Sequence, residues 1–224
     1  MLKQPLWFER GGWDTTPFLE AGKQITLPRD TVLFEQDENQ PFVYIVIEGR
    51  VRIFLISITG TERHLYIVGS GHLVGESTVW TNEKSTYSAA TSTPVKLLRV
   101  PRDAFREVVM RHPNLIEKML FTLSQKQASL LLQTELISFL DLEQRVITML
   151  RQLAYEYGST TEEGVTITIP FTHQELAYVV GSSRVSVSYV MNNLQEKGMI
   201  QKQQGLYTLL SARDTLPWFE LNQV

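Results

Sequence analysis

Apolar positions change their period twice along this chain of 224 residues. Over residues 24–100, short β-branched and aromatic runs recur at 31–34, 42–47, 51–56, 64–68 and 95–100. Between them lie turn-forming segments: Gln36-Asp37-Glu38-Asn39, Glu48-Gly49, Thr59-Gly60-Thr61 and Gly69-Ser70-Gly71. Short strands at this spacing predict an all-β sandwich or barrel. Ahead of them, residues 1–18 carry two Trp, two Phe and a Gly pair, a composition that predicts an irregular arm with aromatic anchors.

The period then becomes helical. Residues 104–111 read as a short helix, and residues 114–139 as a long one. In the long helix Leu115, Ile116, Met119, Leu120, Leu123, Leu130, Leu131, Ile137 and Leu140 recur at helical steps, interrupted by Gln127 and Thr134. About 26 residues span roughly 39 Å, which is long for one small domain to cover. The stripe therefore predicts packing on the β-domain on one side and on the same helix of a second copy on the other; packing on its own domain alone is the simpler alternative. Asp141, with Glu143 and Gln144 in the first turn, opens a further helix that runs to Tyr157 and stops at Gly158. Residues 159–164 read as a polar loop and 165–169 as a strand. The pattern places a domain boundary at 138–141.

Residues 172–200, THQELAYVVGSSRVSVSYVMNNLQEKGMI, hold two short helical patterns joined through Gly181. Thr172 and Glu175 form a capping box. Leu176, Val179 and Val180 face inward, Gly181 supplies the positive φ of a tight turn, and Ser182 or Ser183 caps the second helix. Val187, Val190, Met191 and Leu194 give that helix an apolar face, leaving Arg184, Ser186, Ser188 and Tyr189 on or near the other. This is the pattern of a helix-turn-helix, followed by two wing strands at 199–201 and 205–210. In such a motif the second helix enters the major groove. Arg184 then forks to a guanine, Ser186 and Ser188 bond bases or phosphates, Val185 meets a thymine methyl, and Tyr189 reaches the bases. Thr172, His173 and Gln174, at an N-terminus favourable to anions, and Ser183 are the candidate phosphate contacts. The competing reading is a purely structural motif with Arg184 on its surface.

Charge is the feature that opposes DNA binding. The net charge is −3. Residues 141–224 carry six cations (Arg145, Arg151, Arg184, Lys197, Lys202, Arg213) against nine acids (Asp141, Glu143, Glu156, Glu162, Glu163, Glu175, Glu196, Asp214, Glu220). A protein that relies on phosphate neutralisation is expected to be more basic. The chain has no Cys, which excludes disulfides and thiolate-ligated metal or iron–sulfur sites. No apolar run is long enough to span a membrane, the first residues do not read as a secretory signal, and a cytoplasmic address fits. No Walker loop, Gly-x-Ser-x-Gly elbow or His-Glu-x-x-His motif occurs, and the four His at 64, 72, 112 and 173 are scattered, so no enzyme and no metal site is expected.

Taken together, the helix-turn-helix segment with Gly181-Ser182-Ser183-Arg184, the β-run LPRDTVLFEQDENQPFVYIVIEGRVRIF with Tyr44 and Gly49, and the turn residues Gly60, Gly71 and Gly75-Glu76 resemble the Crp/Fnr family of transcription regulators over about residues 24–210. The resemblance implies an α+β chain: a jelly-roll-like, double-stranded β-roll sensing domain with the N-terminal arm (1–112), a dimerisation helix (113–140) and a winged helix-turn-helix (141–224). It implies a homodimer on palindromic promoter sites, with double-stranded DNA, a small-molecule effector and RNA polymerase as partners. Ile116, Leu120, Leu123, Leu130, Leu131 and Ile137 are the expected dimer contacts. Cyclic-AMP-binding members pair a Gly-Glu with a later Arg and a neighbouring Ser. Here Gly75-Glu76 matches, but the Arg position falls on Ser85 or Thr86, and the nearest cation is Lys84, which is not equivalent at a bidentate phosphate site. Neither cyclic nucleotide nor haem, for which His64 and His72 are candidate axial ligands, is the expected effector. The β-domain is loosely similar to the branch that senses aromatic or halogenated phenolic compounds, and Tyr44, Tyr66, Trp80, Lys84, Ser85 and Tyr87 are candidate lining residues beside Gly75 and Glu76. The alternative function is a small-molecule-binding adaptor whose degenerate winged helix does not bind DNA.

Overall fold

In the computed structural model, which describes residues 6–60, 62–81 and 83–210, the short apolar runs form two sheets facing one another. The first holds β1 (Trp7–Arg10), β3 (Val32–Phe34), β5 (Val51–Ile56), β6 (Glu62–Ser70) and β8 (Ser88–Thr91), in the order β1-β6-β5-β8-β3. The second holds β2 (Lys23–Leu27), β4 (Phe42–Glu48), β7 (Leu73–Val74) and β9 (Val95–Pro101), in the order β2-β9-β4-β7. Their inner faces share one core, with Phe34, Val51, Ile53, Tyr66, Val68 and Ala89 meeting Tyr44, Val46, Val74 and Leu97. On the outer face of the second sheet, Val43, Ile45, Leu98 and Val100 pack with Phe105 and Val109 of α1 (Arg102–Arg111) and Leu115 and Met119 of α2 (Pro113–Phe139). Both faces of β4 are thus covered, and this is why residues 42–47 read as an unbroken apolar run instead of an alternating one.

The N-terminal arm is more ordered than the sequence suggests. β1 runs parallel to β6, in register Trp7↔Ile67. Leu6, Trp7 and Phe8 are buried. The Arg50 guanidinium lies 4.9 Å from the Trp7 ring centroid and donates to both carboxylate oxygens of Glu9, at 2.8 and 3.2 Å. Trp13 donates its indole N–H to Thr122 Oγ1 of α2 at 2.9 Å. A parallel pairing between residues 60 positions apart leaves no local signature. Residues 1–5 and 211–224, which belong to the expected first and last domains, lie outside the described residues, as does Thr61 of the expected turn.

Two rows of side chains, offset by one residue, run along α2. Leu115, Met119, Thr122, Lys126, Ser129, Gln133 and Leu136 are buried. Ile116, Leu120, Leu123, Gln127, Leu130, Thr134 and Ile137 are half-buried or exposed. The exposed row steps by four and three throughout, the spacing of a coiled-coil seam, and Leu120 is 62% exposed. The chain divides into two compact units between Leu130 and Leu131, about two turns before the end of the helix at Phe139. Those last turns belong to the second unit, where Gln133 Nε2 donates to the Val179 carbonyl at 3.4 Å.

The second unit continues with α3 (Leu142–Tyr157). Asp141 Oδ1 accepts from the Gln144 N–H at 2.8 Å, and the Gln144 side chain accepts from the Asp141 N–H at 3.1 Å, a complete capping box. β10 (Gly158–Thr160) and β11 (Gly164–Ile167) pair antiparallel, so the expected loop 159–164 begins as a strand. Next come α4 (His173–Val180), α5 (Arg184–Glu196), and the wing strands β12 (Ile200–Gln203) and β13 (Leu206–Leu210). The sheet order is β10-β11-β13-β12.

Candidate nucleic-acid interface and effector region

The helix-turn-helix is assembled by local chemistry. Thr172 and Glu175 close the capping box of α4. Gly181 ends that helix at φ 67°, ψ 54°, in the left-handed region that glycine adopts without penalty. Ser183 caps α5, its Oγ accepting from the Ser186 N–H at 3.1 Å. Leu176, Ala177, Val179 and Val180 of α4 and Val187, Val190, Met191 and Leu194 of α5 are buried. What this packing leaves outward at the start of α5 is Arg184, with Val185 78% and Tyr189 74% exposed.

Ser183, Ser186, Ser188, Thr172 and His173 have internal partners. Ser186 Oγ lies 2.9 Å from Ser183 Oγ. Thr172 is engaged in its capping box, and Gln174 is half-buried. His173 bridges three elements: Nδ1 lies 2.8 Å from Ser188 Oγ of α5, and Nε2 lies 2.7 Å from Tyr207 Oη of β13. Burial, with Lys202 and Arg184 adding to it, lowers the pKa of His173. The sequence brings Ser188 and His173 to opposite ends of the motif and gives no sign that they bond.

The acidity of this unit is partly internal too. Glu175 is buried within its capping box. Glu143 accepts from Lys197 Nζ at 2.8 Å and from Asn193 Nδ2 at 3.3 Å, tying the end of α5 to α3.

In the β-roll, most of the expected effector residues converge. Tyr44, Tyr66 and Tyr87 are buried in the shared core. Tyr87 Oη accepts from the Gly75 N–H at 3.2 Å. Phe34 lies 5.6 Å from Tyr87 and 6.5 Å from Tyr44, centroid to centroid. Burial, together with the neighbouring Glu76 carboxylate, raises the phenol pKa values of Tyr66 and Tyr87; burial raises that of Tyr44 as well. Gly75, at φ 87°, sits where an added Cβ would meet Gln40 Nε2 and the Phe42 carbonyl at 2.9 Å, so a side chain is excluded there. Lys84 is exposed and joins no such cluster. Ser85 donates to the Tyr87 carbonyl at 2.7 Å, and its backbone bridges to Asp37 and Glu38. Trp80 lies at the surface, under Arg106.

Glu76 is 1% exposed. Lys126 of α2 reaches it, Nζ to Oε1 at 2.7 Å, donates to the Leu73 carbonyl at 2.8 Å, and lies 5.8 Å from the Tyr66 ring centroid. Glu76 Oε2 has no hydrogen-bond partner. Lys126 is the functional-region residue that the sequence reading misses. Its only signal is that it falls on the buried row of α2, four residues after Thr122 and three before Ser129. His64 is buried against Phe54, with Nε2 3.2 Å from Glu62 Oε2, and His72 packs edge-on to Phe8. Among the described residues no cluster of three or more His, Asp or Glu forms a metal site, and no described helix is long and apolar enough to cross a membrane.

Comparison with known proteins accounts for both regions. Residues 24–112 match the cyclic nucleotide-binding domain family, and residues 144–215 match the Crp-like helix-turn-helix domain family. The chain is 29% identical over 192 residues to the CRP-like cAMP-activated global transcriptional regulator of Mycobacterium tuberculosis, covering 86% of this chain and 85% of that protein. A transcriptional regulator of the CRP/FNR family from Thermus thermophilus superposes with a TM-score of 0.63 at 25% identity, covering 85% of this chain and 95% of the other. CprK complexed with OCPA shares the fold, with a TM-score of 0.76 at 15% identity over 95% and 99% of the two chains. With a β-roll followed by a Crp-like helix-turn-helix, each matched along its own length and in that order, the chain belongs to the Crp/Fnr family of transcription regulators.

Proposed function

We propose that the protein is a homodimer that reads palindromic DNA with α5 and is regulated by a small molecule bound in the β-roll. The observation that carries this reading is the outward start of α5. A capped helix, a left-handed glycine and a second capped helix present Arg184, Val185 and Tyr189, while every large apolar residue needed for packing points inward. The Arg184 side chain, at the first position of α5, has no hydrogen bond or ion pair among those described, and supplies the fork for a guanine's O6 and N7. Ser183, Thr172 and Gln174 lie at helix N-termini, where N–H groups favour phosphate. Ser188 and His173, already bonded to one another, act by fixing α5 to α4 and the wing.

The exposed Leu120, Leu130, Leu131 and Ile137, with Ile116 and Leu123 half-buried against the roll beside them, support pairing of α2 with its copy, which holds two reading heads for half-sites about 34–36 Å apart. Tyr44, Tyr66, Tyr87, Gly75 and Glu76 support an effector site in the roll, and Lys126 belongs to it. Lys84 and Ser85, by their placement, contribute to the loop instead. Effector binding biases the equilibrium between DNA-binding and non-binding arrangements, and RNA polymerase is the partner through which bound DNA is converted to a transcriptional outcome in the cytoplasm. A domain division at 1–112, 113–140 and 141–224 follows from these roles. The test is fluorescence anisotropy of the full chain on duplexes enriched from a randomised, symmetric library, beside light scattering. Enrichment of a palindrome by a dimer is expected. A monomer that enriches no sequence would defeat the reading.

A further inference from the structure

The reading helix offers unusually little hydrogen-bonding chemistry. The two hydroxyls that a sequence reading assigns to base edges are bonded inside the motif, Ser188 to His173 at 2.8 Å and Ser186 to Ser183 at 2.9 Å. The sequence of α5, RVSVSYVMNNLQE, holds no acid before Glu196 at its far end, and Glu175 is buried in a cap. The start of the helix therefore offers no carboxylate to accept a bond from a cytosine amino group. Asn192 lies two turns further along, beyond the N-terminal residues that lead into the groove. What remains outward is one cation, one aliphatic side chain and one tyrosine, whose ring face is apolar and whose tip carries a hydroxyl. Val185 and Tyr189, four residues apart, stand on one face at 78% and 74% exposure.

The Val185 side chain and the ring face of Tyr189, held outward at the N-terminal end of the helix, have no packing role in the free protein. In the major groove the one apolar feature of a base edge is the thymine C5-methyl. We propose that Val185 and Tyr189 are specificity-determining residues that read thymine methyls, so that each half-site consists of one guanine facing Arg184 and neighbouring thymines recognised by methyl contact. This rests on α5 being the DNA-reading helix and names the sequence class it selects.

Deoxyuridine differs from thymidine only by that methyl. Each thymine of the library-enriched duplex is replaced by deoxyuridine, one position at a time, and binding of the full-length protein is measured at a single salt concentration, since affinity depends steeply on salt. At least one position per half-site should weaken by about 3–5-fold, the effect of exposing one methyl-sized group. Val185→Ala should remove the penalty at one position, Tyr189→Ala should remove it at another, and Val185→Ile should restore it. Both side chains are exposed, so these variants keep the fold. Deoxyuridine without effect at every position, in a duplex whose binding still requires Arg184, overturns the methyl reading and leaves DNA recognition standing. A library that enriches nothing overturns both.

Discussion

Lys126 Nζ and Glu76 Oε1 lie 2.7 Å apart, with side chains 7% and 2% exposed, although 50 residues separate them in the chain. The ammonium also holds the Leu73 carbonyl. The pair fastens α2 to the short segment that follows β7, where an effector-binding acid was expected. It therefore places the family's Gly-Glu signature in direct contact with the long helix.

Removing one partner of a buried pair leaves the other charged and unsolvated, at a cost of about 3–5 kcal/mol, whereas replacing both together is far cheaper. Lys126→Met and Glu76→Gln should each lower unfolding stability by roughly that amount. The double variant should recover much of the loss. Urea denaturation of the four proteins measures the coupling. Additive losses would mean that the two groups do not depend on one another.

How much of this was legible in sequence follows from the range of the interactions. The capping boxes at Asp141 and Thr172, the Gly181 turn and the Ser183 cap lie within four residues of their partners, and each is readable. The α2 seam is readable because its period is regular. β8 is not readable, because Ser88-Ala89-Ala90-Thr91 is buried by its neighbours and not by bulky side chains of its own. β1 depends on a parallel partner 60 residues away. Lys126 lies beside a stripe whose visible breaks are Gln127 and Thr134, and nothing marks it until the fold supplies Glu76. His173 and Ser188 each read as a DNA contact, because a hydroxyl and an imidazole on outward positions have no visible claim on one another.

Arg184 carries the guanine contact of the proposed function. Arg184→Ala should cost about 1–3 kcal/mol of discrimination, some 5- to 150-fold in affinity for the enriched site, with the dimer unchanged. Lys keeps the charge but not the fork, so Arg184→Lys should recover non-specific binding more than specific binding. Replacing the contacted guanine by 7-deazaguanine removes its N7 acceptor and should have no further effect on Arg184→Ala. Unaltered affinity for the enriched site in Arg184→Ala would remove this residue from the interface.

Along α2, Leu120 and Leu130 occupy the exposed seam and make no demand on the roll core. Leu120→Glu with Leu130→Glu places like charges on both sides of a symmetric helix pair and should convert a dimer to a monomer at micromolar concentration. Circular dichroism should remain that of the folded chain. Affinity for the palindrome should fall by at least tenfold, because two tethered heads lose their effective concentration. A variant that stays dimeric in light scattering would move the interface elsewhere.

His64 supplies a pH signature of the β-roll. Burial, with Arg52 and Arg63 nearby, pulls its pKa from 6.5 down to about 3. The imidazole is therefore neutral in the folded protein across the physiological range, with Nε2 3.2 Å from Glu62 Oε2. The folded value lies below the unfolded one, so between these values the unfolded chain binds the extra proton. Stability is then fully present above about pH 6.5 and is lost as pH falls toward 3, with a slope approaching 1.4 kcal/mol per pH unit, roughly 2 kcal/mol between pH 7 and pH 5. His64→Phe keeps a ring against Phe54 and removes the titration. Carboxylates contribute little above pH 5, and His173 titrates equally in both proteins, so the difference in unfolding free energy between wild type and variant isolates His64. That difference should shift by about 2 kcal/mol against the wild type on going from pH 7 to pH 5. Parallel stability curves over this range would show that His64 binds protons equally well folded and unfolded, which its position under Phe54 does not allow.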